Sequence, residues 1–299
     1  VGQPEVKLGM PPGAGATLAA LPRPSSETRI ELLIGAEGGL APEEMEKAVQ
    51  ATIEANDHLF AADDEHRIMI DVSRGLLGIY QDVVGLQKGP NVIIADFPLR
   101  WTVAGMGKLF DTGINAVITS QRAIPASLLD PKIKNRSRIH YLMANIEASQ
   151  IAGDNNWALL LDPDGFIAEG TGDNFFIVKN GKVITPEGRN ILRGISRAYV
   201  IEELCPQLGI PVVETNIDAY DVQTADEAFM TGTPFCMLPV TGLNGSAIGD
   251  GKVGGVFAKL LKQWGANTGV DIEGQIKAWD AVRQGGAADA PTPYRFKSK

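Results

Sequence analysis

From Pro42 onward apolar residues recur at helical spacing. Met45, Val49 and Ile53 fall at i, i+4 and i+8, so this segment is expected to form a helix with one buried stripe. Pro42 suits a first helical position, Glu43 and Glu44 stand where the helix dipole favours negative charge, and Asn56 can end the helix. Period-two alternation through Ile68-Met-Ile-Asp-Val-Ser73 marks a half-buried strand instead, expected over Arg67 to Ser73. Further strands are expected at Asn91 to Phe97, Ala116 to Gln121, Ala158 to Leu161, Phe175 to Val178, Lys182 to Ile184, Pro211 to Thr215 and Glu227 to Met230. Helical patterns are read from Ile139 (with Leu142, Met143 and Ile146), from Ser196 to Leu208 and from Val253 to Trp264.

Strands interleaved with helices predict an α/β (α+β) chain. Residues 1–26 are rich in Pro, Gly and Ala without periodicity and read as an irregular arm, and the tail from Gln284 reads as weakly ordered. Arg122 to Leu129, with Pro125 and no strong periodicity, reads as an interdomain linker. It divides a small N-terminal domain, 1–121, from a larger domain, 130–299. Ligand sites favour such junctions. No internal repeat is found.

Composition narrows the function. The 299 residues are 44% hydrophobic and 21% charged, enough to bury a sizeable core. A net charge of −9 argues against nucleic acid as a partner, because phosphate backbones demand basic surface. Cys205 and Cys236 sit in apolar runs without metal-ligand spacing and read as buried free thiols, which fits a reducing cytosol. His58, His66 and His140 show no ligand spacing, so no metal site is expected. No basic and apolar leader and no apolar run of about 18 residues is seen, so the expectation is cytoplasmic, with no membrane partner.

The densest chemistry lies in Glu169-Gly-Thr-Gly-Asp-Asn174-Phe-Phe and in Leu192-Arg-Gly-Ile-Ser-Arg197. Phe166-Ile-Ala-Glu169 reads as a strand end delivering one carboxylate, with Gly170 and Gly172 turning the backbone tightly past it. Such a carboxylate could hold a protonated ring nitrogen. After the hairpin turn Lys179-Asn-Gly-Lys182, Gly194-Ile-Ser196 opens a helix whose free N–H groups suit a phosphate.

This combination resembles the signature of the class IV aminotransferases, the pyridoxal-phosphate enzymes of fold type IV, which include branched-chain and D-amino-acid aminotransferases. The resemblance implies a small N-terminal α/β domain and a larger C-terminal α/β pseudo-barrel. It also implies pyridoxal 5'-phosphate as cofactor, a small-molecule amino donor and a 2-oxo acid as substrates, and a homodimer. Within it, Glu169 pairs with the pyridine nitrogen, and Ile195 and Ser196 cradle the phosphate. The family needs a Schiff-base lysine upstream. Lys134, 35 residues before Glu169, matches that segment, with Lys132 as competitor. Lys134 is preferred because the helical pattern of Ile139 begins just after it. Arg136 and Arg138 are near enough in sequence to lower its pKa, and Arg138 is counted with the cofactor-binding set.

Ala228-Phe-Met-Thr231-Gly-Thr233-Pro resembles the family loop whose second threonine binds phosphate and whose backbone lies by the substrate carboxylate. Thr233 takes the first role, Gly232 and Pro234 the second. Arg74-Gly75 is similar to a strand end near the substrate pocket, so Arg74 faces substrate or pairs at the surface. The apolar Leu76-Leu-Gly-Ile-Tyr80 favours a hydrophobic donor such as a branched-chain amino acid. The chain departs from the family at its front, where no His-x-x-Arg-Leu phosphate clamp is found. Three activities therefore stand: an aminotransferase, an aminodeoxychorismate-lyase-type enzyme using the same Lys134, and a non-catalytic member.

Overall fold

A computed structural model of the chain describes residues 42–73 and 91–284. The irregular arm, Arg74 with the apolar run to Tyr80, and most of the C-terminal tail lie outside the described residues. Helix α1, Pro42–Asn56, buries Met45, Val49 and Ile53, the stripe its spacing demands. Strands β1, His66–Ser73, and β2, Asn91–Pro98, form a two-stranded antiparallel sheet. Two short helices, α2 (Arg100–Val103) and α3 (Leu109–Thr112), lead out of it.

The remaining strands are β3 (Ile114–Arg122), β4 (Asn156–Leu161), β5 (Ile167–Gly170), β6 (Asn174–Lys179), β7 (Lys182–Thr185), β8 (Val212–Glu214), β9 (Glu227–Gly232), β10 (Cys236–Leu243) and β11 (Ser246–Ala247). These build one nine-stranded sheet, and it closes on itself. Strand β9 pairs with both β6 and β10, so β10, β3, β4, β5, β6 and β9 form a ring of six. Closure removes the exposed edges of those strands, and β5, β6 and β9 are buried along nearly their whole length, which accounts for their apolar runs. The ring is joined between β5 and β6 through the pair Glu169 and Asn174. The motif carboxylate therefore sits on the seam.

Strand β3 runs through Arg122 and hydrogen-bonds between β10 and β4 inside the larger sheet, where the sequence alone places the end of a small domain at 121 and a linker from Arg122 to Leu129. An apolar strand gives no local sign of which sheet it will join.

Helix α4, Ile139–Ser149, forms where the helical pattern from Ile139 is read. Its large apolar residues Ile139, Leu142, Met143 and Ile146 are exposed, while Ala144 and Ala148 are buried over β3 and β4. Small side chains let the helix lie close to the sheet, so the buried face is the one of low hydrophobic bulk. The helix from Ile195 to Gln207, α5, contains one π turn over Val200–Leu204. Helix α6 spans Ala219–Gln223 and carries a capping box between Asp218 and Asp221. Helices α7 (Gly255–Thr268) and α8 (Ile272–Gln284) complete the described chain. Phe176 of β6 and Phe229 of β9 stack with centroids 4.8 Å apart, and Phe229 meets Phe257 of α7 at 6.2 Å. Both cysteines are buried, and neither is in a disulfide.

Candidate active site

One pocket gathers most of the residues that the sequence singled out. Its wall includes Lys134, Arg138, Glu169, Ile195, Ser196, Gly232 and Thr233. Pro234 follows directly in the β9–β10 turn but is not part of the wall. Lys132, the competing amine, pairs instead with Asp130 at 2.8 Å.

Glu169 is buried on β5 and accepts three hydrogen bonds: from Tyr141 Oη at 2.7 Å, the Leu192 backbone N–H at 3.0 Å and Asn174 Nδ2 at 3.3 Å. Burial raises its pKa to about 7, and Tyr141 and Leu192 act against that rise by donating to the ionised form. The carboxylate is thus held in place by donors on α4, on the adjoining strand and in the loop before α5. Asn174 also donates to the Leu192 carbonyl at 2.8 Å, which locks that loop to the strand. Gly194 is required there: a Cβ at this position would stand 2.2 Å from Asn174 Oδ1.

Lys134 lies in the loop before α4, open to solvent through the pocket mouth. Most of its surrounding volume is nevertheless protein, because the pocket is concave. That desolvation, with the like charge of Arg138, lowers its pKa to about 8, and Glu169 acts in the opposite sense. Near neutrality a useful fraction of such an amine is unprotonated and nucleophilic. Arg138 donates to the Asn135 carbonyl at 2.8 Å and lies over the Tyr141 ring.

Several pocket residues escape the sequence reading. Tyr141 follows Lys134 by seven positions and shares the inward face of α4 with Ala144 and Ala148. The signal is present, but as a stripe of small residues rather than large ones. Asn174, part of the motif without a role of its own there, is a ligand of Glu169. Asp173 is buried in the wall, and burial followed by the charge of Glu169 raises its pKa to about 7. Thr231 also lines the wall. His140 reaches it as well, whereas His66 bridges Asp96 and Asp57 at the small sheet. Among the described residues no cluster of His, Cys, Asp and Glu could hold a metal ion, and no helix is long and apolar enough to cross a membrane.

Residues 29–243 match the family model for amino-transferase class IV. The chain is 41% identical over 157 residues to a putative branched-chain-amino-acid aminotransferase of Methanocaldococcus jannaschii, covering 52% of this chain and 54% of that protein. It is 40% identical over 130 residues to the branched-chain-amino-acid aminotransferase of Pseudomonas aeruginosa, covering 44% and 41%. The chain thus spans about half the length of these curated relatives. Among solved structures, the Thermobaculum terrenum branched-chain amino acid aminotransferase in its PLP form superposes with a TM-score of 0.67 at 25% identity, over 85% of this chain and 78% of that one. The branched-chain aminotransferase of Thermoproteus uzoniensis with norvaline gives 0.63 at 29% identity, over 78% and 73%. The mixed α/β architecture with its barrel-like sheet is that of fold type IV. With more than two thirds of its length matched by the family model, the chain belongs to the class IV aminotransferases.

Proposed function

We propose that this chain is a pyridoxal-phosphate-dependent aminotransferase that moves an amino group from an amino acid to a 2-oxo acid. The observation that carries the reading is the convergence in one pocket of an amine with a pKa of about 8, a buried carboxylate fixed by three donors, and the loop and helix start at Gly194–Ser196. The pocket fits that cofactor in one further respect. Ser196 Oγ and Thr231 Oγ1 line it, buried and without a hydrogen-bond partner, as hydroxyls suited to an anion would be.

When bound, the cofactor supplies an aldehyde and an electron-withdrawing ring that takes up the electron pair left at the donor Cα. Lys134 Nζ would be the amine that holds the cofactor through its aldehyde carbon, and as a free amine it could take the proton from the donor Cα as base and, as acid, deliver it to the carbon that had carried the aldehyde, a role its lowered pKa permits near neutral pH. Glu169 would pair with a protonated ring nitrogen and favour its charge, while Tyr141, Asn174 and the Leu192 N–H keep the carboxylate oriented. Ile195, Ser196 and Thr233 would hold the phosphate, with Arg138 adding positive charge to the same wall, and Gly232 of that wall and Pro234 beside it in the turn would serve the substrate carboxylate. The lyase reading uses the same residues, and no observation favours it.

The branched-chain relatives and the apolar run after Arg74 support a hydrophobic amino donor. The exposed apolar stripe of α4, Ile139, Leu142, Met143 and Ile146, supports a homodimer joined beside the pocket. Composition supports a cytoplasmic location.

The test is the visible absorption of the purified protein after adding pyridoxal phosphate, followed by a panel of amino donors, with Lys134→Ala as control. The reading expects a band that the mutant lacks and that a hydrophobic amino acid bleaches in favour of the amine form. A wild-type protein with no band would overturn it. Repeated turnover of aminodeoxychorismate that releases pyruvate with the band retained and no 2-oxo acid acceptor required would replace it with the lyase.

A further inference from the structure

Thr231 and Ser196 are two buried hydroxyls in one pocket wall, 1% and 3% exposed, and neither has a hydrogen-bond partner. A buried hydroxyl left unpaired is destabilising, and valine fills nearly the same shape without that cost. Thr231 on β9 stands directly across from Asn174 on β6, so their side chains share one face of the sheet. Asn174 in turn lies against Gly194, the residue that opens α5, with Ser196 two positions on. Strand pairing joins Thr231 to Asn174, Asn174 approaches Gly194, and Ser196 follows two positions on, so both hydroxyl residues line the same pocket wall.

We propose that Thr231, together with Ser196, donates a hydroxyl hydrogen bond to the phosphate of the bound cofactor, so that the first threonine of Thr231-Gly-Thr233 is a phosphate ligand as well as the second. This inference rests on the reading of the pocket as a pyridoxal-phosphate site. It assigns a role to a residue that lies outside the loop position named from sequence. It also explains why a threonine is buried here without a partner of its own.

Thr231→Val removes the hydroxyl and Thr119→Val is the control, since Thr119 is equally buried with an unpaired Oγ1 but is not part of the pocket wall. Three properties are measured in each: affinity for pyridoxal phosphate, affinity for pyridoxal, which lacks the phosphate, and unfolding in urea without either. Thr231→Val is expected to bind pyridoxal phosphate about tenfold or more weakly, as loss of a hydrogen bond to a charged group implies. Its affinity for pyridoxal should match the wild type, and its urea midpoint should stay the same or rise. Thr119→Val should leave both affinities unchanged. If valine compromises folding, Thr231→Ser must retain phosphate-dependent affinity and Thr231→Ala must lose it. Equal affinity of Thr231→Val and wild type for pyridoxal phosphate would overturn the inference, as would equal loss for both aldehydes. A wild type that binds neither aldehyde through Lys134 would instead overturn the cofactor reading, and the inference with it.

Discussion

Tyr141 donates its hydroxyl to Glu169 across 2.7 Å and so ties the helix that follows Lys134 to the seam of the barrel. The bond joins two elements that approach the pocket from separate parts of the chain, and it acts on the charge state of the carboxylate as well as on its position. Tyr141→Phe removes a donor to the ionised form, so the pKa of Glu169 should rise above its present value of about 7. Loss of a hydrogen bond to a charged group is worth about 1.5–3 kcal/mol. At pH 7 the affinity for pyridoxal phosphate should therefore fall about tenfold or more, and recover more steeply than in the wild type as pH is raised toward 8.5. Cofactor titrations by absorbance at several pH values measure both effects.

The two pocket carboxyls make the cofactor-free protein sensitive to pH. Asp173 and Glu169 both have folded-state pKa values near 7, raised by burial above the ordinary carboxylate range. The folded protein thus holds more protons than the unfolded chain between about pH 4 and 7, and stability from these groups is present at the acid end and lost as pH rises through 7. With about 1.4 kcal/mol for each pKa unit, the loss should amount to a few kcal/mol. Lys134 acts in a separate window: its lowered pKa makes the same protein gain stability between about pH 8 and 10.5. Urea unfolding at pH 5 and pH 8 should show the first effect, and Asp173→Asn should flatten it. An unchanged slope in that mutant would show that Asp173 is ionised throughout.

Core packing behind the site is concentrated in the Phe176–Phe229 pair. Both side chains are fully buried, with rings nearly parallel. Phe229→Ala should destabilise the protein by about 3–5 kcal/mol, read from urea midpoints at constant slope, because a removed buried ring leaves a cavity that a closed barrel cannot collapse around. A loss under about 1 kcal/mol would mean that α7 moves in to fill the space.

The exposed stripe of α4 carries the assembly prediction. Leu142→Glu places a charge in the middle of that stripe without touching Tyr141 or Ala144 on the opposite face. Sedimentation velocity should show a dimer for the wild type and a monomer for the mutant. A monomeric wild type, or a mutant that stays dimeric, would remove this surface from the interface.

Much of this is legible in the chain, and the failures share a cause. Met45, Val49 and Ile53 carry a periodic signal that needs no tertiary knowledge, as do the alternation leading to Ser73 and the motif from Glu169 to Phe176. Long-range pairing has no such signal. Nothing local says that Ile114–Arg122 will lie between β10 and β4, or that β9 will bridge β6 and β10 and close the ring. The helical period of α4 is visible in the chain but its buried face is not, because bulk is the ordinary sign of burial, while Ala144 and Ala148 pack more closely than Leu142 or Met143 could. Tyr141 and Thr231 stay hidden for a related reason. A hydroxyl on an apolar element reads as packing until the fold shows what stands opposite it.

Lys134 is proposed as the amine that carries the cofactor, with the half-buried Lys132 paired to Asp130 beside it. Borohydride reduction of the protein mixed with pyridoxal phosphate, followed by peptide mass spectrometry, tests this directly. The pyridoxyl group is expected on Lys134 alone, at one equivalent per chain. Label on Lys132, or label scattered over many lysines in proportion to their exposure, would contradict it.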